Sequence, residues 1–461
     1  MDPPSPMEGH VVVMPYPGRG HINPLMHLCN ILLSKNSHIL FTFVVTEEWH
    51  GFIGSDPMPR NIRLRTIPNV IPSERGRGND MVAFLDAVMT KMEAPFEHLL
   101  DRLHPPPTCI VHDSYLFWVV GVGIRRNIPV ASFFPMSASF FSVICHYRLF
   151  EQNGHYPVNL SENGDERVDY IPGLSSTRLA DFPLNDGSWQ SRKMLHWVHK
   201  VAQWALKAQY LLFPSILELE SQVIHALKAV SSIPIYTIGP VIPYLPLKHN
   251  PSSSIANHDS DHSYIKWLDS QPSGSVLYIS QGSFLSASTA QLEEIVAGLR
   301  ASGVRFLWIA REESLKLNET CGDLGLVLPW CDQLRVLSHP AIGGFWSHCG
   351  WNSTREGAFV GVPFLAFPLI MDQPLNSKLI VEDWKIGWKV KKGVKEDVLV
   401  TRDEVAELLK KVMDLGSEEG RELRKRAKQI QQICQLAIAD GGSSETNINM
   451  FLRDLLRSGK P

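Results

Sequence analysis

The stretch His10-Val11-Val12-Val13-Met14-Pro15-Tyr16-Pro17-Gly18-Arg19-Gly20-His21-Ile22-Asn23-Pro24 decides how this chain folds. A short apolar run ends in a turn of prolines and glycines, and a segment of helical character, His21–Lys35, follows. Apolar residues on successive positions bury both faces of a strand, the pattern of a parallel strand covered by helices on each side. Working outward, the unit recurs. In the first half the apolar runs are His10–Pro17, Ile39–Thr46, Ile62–Pro68, Thr108–Asp113, Ile128–Pro135, Ala208–Ser215 and Ile233–Pro240, separated by longer mixed stretches such as Met81–Leu103. They restart at Ser275–Gln281, Arg305–Ala310, Gly325–Pro329, Ile342–Ser347, Phe364–Pro368 and Gly387–Lys391. Two open α/β units in series follow.

With 461 residues the chain has room for two large domains. Pro240 to about Ser263 is rich in Pro, Ser, Asn and His, a composition that favours a solvated connector. The expected organisation is therefore an N-terminal domain over 1–239, a linker over 240–262 and a C-terminal domain over 263–440. After Gly441-Gly442, a last helix over 441–461 carries Ile448, Phe451, Leu452 and Leu455 on a face that needs a partner. Hydrophobic residues at 44% and charged residues at 20% exclude a linker or low-complexity protein. Lys+Arg 44 against Asp+Glu 47 leaves −3 at pH 7, so no basic field exists to hold nucleic acid or an anionic membrane. Seven widely spaced cysteines, none in a CxxC pair, argue against a disulfide framework and a structural zinc site. Met1-Asp2-Pro3-Pro4-Ser5-Pro6 lacks the positive start and apolar helix of a secretory signal, which points to a cytoplasmic chain. The uncharged stretch Gly357–Met371 contains Pro363 and Pro368 and is shorter than the ~20 residues that span a bilayer, so no stable membrane insertion is expected.

Three constellations carry chemistry. In an open α/β sheet, ligands bind beyond the carboxyl ends of the strands, so the turn after the first run puts His21 at a cleft. Asn23 stands where a third glycine would complete a dinucleotide fingerprint, which disfavours a dehydrogenase. His21 is open to two readings: a histidine that merely starts a helix, or a general base that titrates near working pH. Asp113, ending the fourth run at the same sheet edge, is a candidate to fix its tautomer or else a simple turn former. The second constellation is Trp330-Cys331-Asp332-Gln333, then His348-Cys349-Gly350-Trp351-Asn352-Ser353-Thr354-Arg355-Glu356, then Asp372-Gln373-Pro374-Leu375-Asn376. A strand ending at His348, a glycine turn and a helix starting near Trp351 offer backbone N–H groups and hydroxyls to an anion. Neighbours on a strand point to opposite faces, so Cys349 beside His348 does not read as a nucleophile. Third, Ser280-Gln281-Gly282-Ser283 would face the same cleft from another loop. Asp259-Ser260-Asp261 has the form of a metal-holding motif but sits in the polar connector, without a preceding strand to hold its carboxylates.

The segment Trp330 to Gln373 resembles the plant secondary-product glycosyltransferase box of the family 1 UDP-sugar-dependent glycosyltransferases. Gly20-His21-Ile22-Asn23-Pro24, Trp267-Leu268-Asp269, Gly282-Ser283 and the last helix fall in the order that family shows. The resemblance implies two facing Rossmann-like domains of the GT-B type with a cleft between them, donor held by the C-terminal half and acceptor by the N-terminal half. The last helix would cross back to the N-terminal domain. By the same resemblance Trp330 stacks on uracil, with Cys331 beside it in the donor set, and Gln333 and Glu356 hold the ribose hydroxyls. His348, Asn352, Ser353 and Ser283 would contact the diphosphate, and Trp351, Asp372 and Gln373 the sugar. His21 matches the family's base and Asp113 its partner, implying a single displacement that inverts the anomeric carbon, with no metal or other cofactor required. Gln373 resembles the form associated with glucose donors. Expected partners are UDP-glucose and a small phenolic, flavonoid or terpenoid acceptor, bound by a monomer. Phe134, Phe140 and Trp189 are candidates to line the acceptor pocket. Gln281 stands where relatives often have an apolar or aromatic residue, and Arg19, where an uncharged one is common, is expected in solvent. Two other classes stay open at this level: a non-catalytic UDP-sugar or small-molecule binding protein on the same scaffold, and a sugar-nucleotide epimerase, which would release UDP without an acceptor.

Overall fold

The computed structural model describes residues 7–54, 58–77, 80–183, 186–244, 263–282, 287–310, 324–390 and 399–458. The first half supplies strands β1 (Gly9–Met14), β2 (Ile39–Thr46), β3 (Ile62–Ile67), β4 (Cys109–Asp113), β5 (Val130–Phe133), a two-stranded ribbon of β6 (Arg167–Val168) and β7 (Thr177–Arg178), then β8 (Tyr210–Phe213) and β9 (Ile235–Thr237). The second half supplies β10 (Val276–Ser280), β11 (Arg305–Ile309), β12 (Gly325–Leu328), β13 (Ile342–Ser347), β14 (Phe364–Ala366) and β15 (Gly387–Lys389). One parallel sheet runs β3-β2-β1-β4-β5-β8-β9 and a second, also parallel, runs β12-β11-β10-β13-β14-β15. Strand order reverses beside β1 and β4 in the first sheet and beside β10 and β13 in the second. Those switch points are where an open α/β sheet leaves a crevice for ligands.

The strands are shorter than the apolar runs that announce them, because proline cannot donate to a ladder. β1 stops at Met14 before Pro15, β8 at Phe213 before Pro214, and β14 at Ala366 two residues before Pro368. Met81–Leu103, read as one helical stretch, is two helices, α1 aside: α1 is Arg19–Lys35, α2 is Met81–Lys91 and α3 is Glu93–Leu100. Pro95 has no N–H to give the Lys91 carbonyl, so the ladder breaks between α2 and α3. Of the expected linker, 245–262 lies outside the described residues, including Asp259 and Asp261. Its described start is packed rather than solvated. Val241, Ile242 and Tyr244 are buried, the Tyr244 ring 6.1 Å from that of Phe359, since these side chains are apolar whatever the composition around them.

The remaining elements that shape the site are α4 (Ala138–Cys145), α5 (Trp189–Ala205), α6 (Gln333–Leu337), α7 (Trp351–Val360), α8 (Gln373–Lys378) and α9 (Ser443–Ser458). In α9, Ile448, Phe451 and Leu455 are buried. The Phe451 ring lies 6.0 Å from both Tyr210 and Tyr236 of the first sheet, and Asn447 Nδ2 donates to Thr237 Oγ1 at 2.9 Å. The two halves also touch directly: Asn352 Nδ2 donates to the Gly20 carbonyl at 2.8 Å, and Lys389 pairs with the buried Asp181 at 2.8 Å. Among the described residues no helix is long and apolar enough to cross a membrane.

Candidate active site

His21 lies in the first turn of α1, whose N-cap is Gly18 in an extended conformation. Asp113 ends β4, the neighbour of β1 in the sheet, so adjacency of strands rather than of sequence brings the two together. His21 Nδ1 donates to Asp113 Oδ2 at 2.7 Å. The carboxylate is fully buried and the imidazole side chain is 20% exposed. Asp113 Oδ1 accepts the Tyr115 N–H at 3.0 Å, so both oxygens are occupied and the aspartate cannot swing away. That arrangement holds the imidazole in the tautomer with a bare Nε2, the form able to take a proton. The ring is framed by Tyr16, 4.7 Å away centre to centre, and by Tyr115, edge-on at 5.8 Å. Burial pushes both phenols above their ordinary value, so they stay neutral beside the base.

The second sheet contributes from β10, β12, β13 and β14. β13 ends at Ser347, so His348 and Cys349 stand in a turn and the strand alternation invoked for them does not apply. Cys349 adopts a left-handed φ of 64°. Its N–H donates to Ser347 Oγ at 3.0 Å, and its carbonyl accepts from Asn376 Nδ2 at 2.9 Å and Thr354 Oγ1 at 3.2 Å. Its buried thiol is pushed up by desolvation and donates to the Ser347 carbonyl, which leaves it no role as a nucleophile. The turn delivers the chain into α7 with Gly350 at the N-cap and no side chain capping it. The orphan N–H groups of that first turn are therefore available to an anion. Burial pushes the His348 imidazole down to about 4, so it is neutral at physiological pH, and its Nδ1 is buried without a partner. Its Nε2 is pressed between two glycines: a Cβ on Gly282 would stand 2.6 Å from it and one on Gly350 2.5 Å.

Around the start of α7 a polar network forms. Gln333 Nε2 donates to Glu356 Oε2 at 2.7 Å and to Ser353 Oγ at 3.0 Å. Burial pushes the Glu356 carboxyl up to about 7, against the downward pull of Gln333 and the neighbouring Arg355. Asp372 is buried and pushed up to about 6, with the Asn376 amide at 2.7 Å and the Trp351 N–H holding it from rising further. It lies close enough to His21 and Tyr115 for its charge to bear on both across the two halves. Gln373 Oε1 accepts the Leu369 and Ile370 N–H groups at 2.8 and 3.1 Å, so the carboxamide can offer only its NH2 group outward. Trp330 is 56% exposed, a bare aromatic face at the end of β12, while Cys331 is buried. The Trp351 indole is buried 6.3 Å from Trp384, so this residue meets Asp372 through its backbone and not its ring. Ser283 lies outside the described residues.

The acceptor assignments change. Phe134 and Phe140 have no exposed surface; they stack at 6.2 Å in the core, and Phe134 backs Tyr115 at 6.3 Å. Phe134 is further enclosed by Phe141 at 4.9 Å and Phe213 at 6.0 Å, so these rings belong to an aromatic core rather than to an exposed pocket wall. Trp189 is 58% exposed and borders an open cavity of about 460 Å³ with Asp86, Arg192, Lys193, His196 and Trp197. Arg19 is exposed, as expected, and Gln281 is buried with its Oε1 accepting from the Ala287 N–H at 3.3 Å. Tyr16 and Asn376 lie within the stretches quoted from the sequence but have no role assigned there, Tyr278 lies within the run Ser275–Gln281 without one, and Tyr115 lies outside those stretches. The signal for Tyr278 was a phenol among the apolar residues of its strand, whose hydroxyl must find a partner when buried. Among the described residues, no three His, Cys, Asp or Glu side chains gather as a metal site would require.

Solved structures share this architecture. That of Os79 from O. sativa, in complex with U2F and trichothecene, superposes with a TM-score of 0.82 over 96% of this chain and 100% of that one, at 26% identity. A UDP-glucosyltransferase from Polygonum tinctorium capable of glucosylating indoxyl, in complex with 3,4-dichloroaniline, gives 0.81 over 99% and 100%, at 25% identity. The fold is thus of the GT-B type, two facing Rossmann-like domains. Residues 242–417 match the family described as UDP-glucoronosyl and UDP-glucosyl transferase. UDP-glycosyltransferases 87A1 and 87A2 of Arabidopsis thaliana are each 51% identical to this chain, over 96% and 97% of it and 100% and 96% of their own lengths. The chain belongs to the plant family 1 UDP-glycosyltransferases and is an enzyme of that class.

Proposed function

We propose that this enzyme transfers glucose from UDP-glucose to a hydroxyl or carboxyl oxygen of a small lipophilic plant metabolite, inverting the anomeric carbon to give a β-glucoside. The observation that carries the reading is the His21–Asp113 pair at 2.7 Å, set at the switch point of one sheet and facing Asp372 of the other half. Asp113 accepts the Nδ1 proton, so Nε2 takes the proton of an acceptor hydroxyl as its oxygen attacks the anomeric carbon; the buried carboxylate then stabilises the imidazolium that forms. The bond to the departing UDP oxygen breaks on the opposite face, and a single displacement inverts the centre. Negative charge growing on the diphosphate meets the uncapped start of α7 and a neutral His348. Trp330 offers uracil an aromatic face, Glu356 accepts from the ribose hydroxyls beside Gln333, and Asp372 with the outward NH2 of Gln373 reads the sugar. The bound trichothecene and 3,4-dichloroaniline of the two similar structures support a small acceptor, and the tyrosine-framed imidazole suits an apolar one. We propose further that the N-terminal half holds the acceptor and the C-terminal half the donor, and that the enzyme works in the cytoplasm as a monomer without a metal.

The test is UDP release from UDP-glucose with EDTA present, with and without a pool of phenolic, flavonoid and terpenoid acceptors. Acceptor-dependent release is expected in the wild type. His21→Ala is expected to lower kcat by about 10²–10⁴-fold, the usual contribution of a general base, with UDP-glucose affinity nearly unchanged. Full transfer by His21→Ala would remove the histidine from the mechanism, and release without acceptor would favour epimerase-type chemistry.

A further inference from the structure

Tyr278 sits in β10, 1% exposed, its ring stacked on Phe345 at 5.2 Å and 28°. Its hydroxyl donates to Gln333 Oε1 at 3.1 Å and lies 3.5 Å from Cys331 Sγ. A phenol has one proton to give. Burial holds the Tyr278 phenol well above its ordinary value and pushes the Cys331 thiol up to about 12, so both stay protonated. With the phenol proton committed to Gln333, the phenol oxygen is left to accept from its other neighbours, the Cys331 thiol and the Ser280 hydroxyl. The protons then run in a single order: Cys331 S–H to Tyr278 oxygen, Tyr278 O–H to Gln333 carbonyl, Gln333 N–H to Glu356 and Ser353. Turning the Gln333 carboxamide over would set its oxygen 2.7 Å from a Glu356 carboxylate oxygen, where two acceptors repel.

We infer that Tyr278 is a positioning residue of the donor site: its hydroxyl holds the Gln333 carboxamide in the orientation that points its amino group at Glu356. The inference rests on the reading of Gln333 and Glu356 as the groups that hold the donor ribose. Without the hydroxyl, the turned amide loses one of its two penalties. It then accepts from a protonated Glu356, so the carboxyl keeps its proton to higher pH and presents fewer acceptor electron pairs to the ribose.

The experiment compares wild type and Tyr278→Phe from pH 6 to 9, by kinetics and by calorimetric binding of UDP-glucose. Tyr278→Phe is expected to raise the KM for UDP-glucose about fivefold at pH 7 with kcat within about twofold, and to move the pH midpoint of donor binding up by about one unit. In a Gln333→Ala background the same change is expected to add less than about twofold. A purely structural tyrosine would lower thermal stability without moving the midpoint. An unshifted KM and midpoint in folded Tyr278→Phe, or an equal effect in the Gln333→Ala background, would overturn the inference. Failure of the wild type to bind UDP-glucose would instead sink the donor-site reading itself. If Tyr278→Phe does not fold, a crystal structure of the wild type with UDP decides: Tyr278 Oη within about 3.2 Å of Gln333 Oε1 is expected, and a separation beyond about 3.5 Å overturns it.

Discussion

Glu356 and His348, the residues proposed to meet the ribose and the diphosphate, are shifted by burial in opposite directions. Burial raises the proton affinity of the carboxyl to about 7 and lowers that of the imidazole to about 4. Near neutral pH the histidine is fixed as a neutral donor while the glutamate is caught in mid-titration. An acid with a raised value is ionised only above it, and in the proposed function the ionised form is the one that accepts from ribose hydroxyls. UDP-glucose affinity is therefore expected to rise with pH through about 7 and fall below it. UDP-glucose is the right probe because its diphosphate carries no proton that titrates in this range. In Glu356→Gln the step near 7 should vanish, leaving the smaller step near 6 that belongs to Asp372, with affinity at pH 8 reduced about tenfold or more. Calorimetric titrations from pH 5.5 to 8.5 check this, and an unchanged step near 7 would free Glu356 from the ribose.

At the scale of elements, the site is made of turns that follow strands. Cys349 and Met371 both take left-handed φ values, 64° and 59°, which cost side-chain-bearing residues energy unless neighbours enforce them. Asn376 supplies part of that enforcement by tying the Cys349 carbonyl to Asp372. The turn after β10 uses glycine instead. Gly282 has φ 85°, and a Cβ there would meet the His348 ring at 2.6 Å. Gly282→Ala thus faces both a strained backbone and a clash with a ring that is itself packed against Gly350. The expected result is a loss of UDP-glucose affinity of about tenfold or more with a drop in thermal stability of about 1–3 kcal/mol. Isothermal calorimetry and a melting curve measure the two, and wild-type affinity in the variant would show that His348 does not contact the diphosphate.

The whole molecule is a pair of sheets tied together along the cleft and behind it. Behind it, α9 buries Phe451 between Tyr210 and Tyr236, and the Tyr236 hydroxyl donates to Asp454. Phe451→Ala is expected to cost about 3–5 kcal/mol through the cavity left among those rings. In a chain of two domains this need not be a single transition, so fluorescence-monitored urea unfolding should be read for a lowered midpoint of the phase reporting the first sheet. An unchanged midpoint would mean that α9 docks without stabilising that sheet. Inside the cleft, the buried Arg355 guanidinium of α7 donates to the Pro240 carbonyl and to the Asn352 side chain, which in turn holds the Gly20 carbonyl beside His21. Helix α7 is thereby tied to the turn that carries His21 through Asn352, and to Pro240 through Arg355.

The alternation of apolar runs and mixed segments determined two parallel sheets, because doubly buried strands need side chains of that kind at every position. Turn chemistry determined that His21, Asp113, His348 and Asp372 stand at carboxyl ends of strands or just beyond them. What only the tertiary structure decided is which of these meet. His21 and Asp113 are 92 residues apart and touch because β1 and β4 are neighbours in the sheet, an order no local pattern encodes. The same holds for the links between Tyr278, Gln333 and Glu356, and for the burial of Phe134 and Phe140, which read as pocket or core with equal ease until the sheet is assembled. Hydrophobic periodicity is a property of neighbours along the chain, whereas a hydrogen bond or a buried ring depends on neighbours in space, and strand order alone converts one into the other.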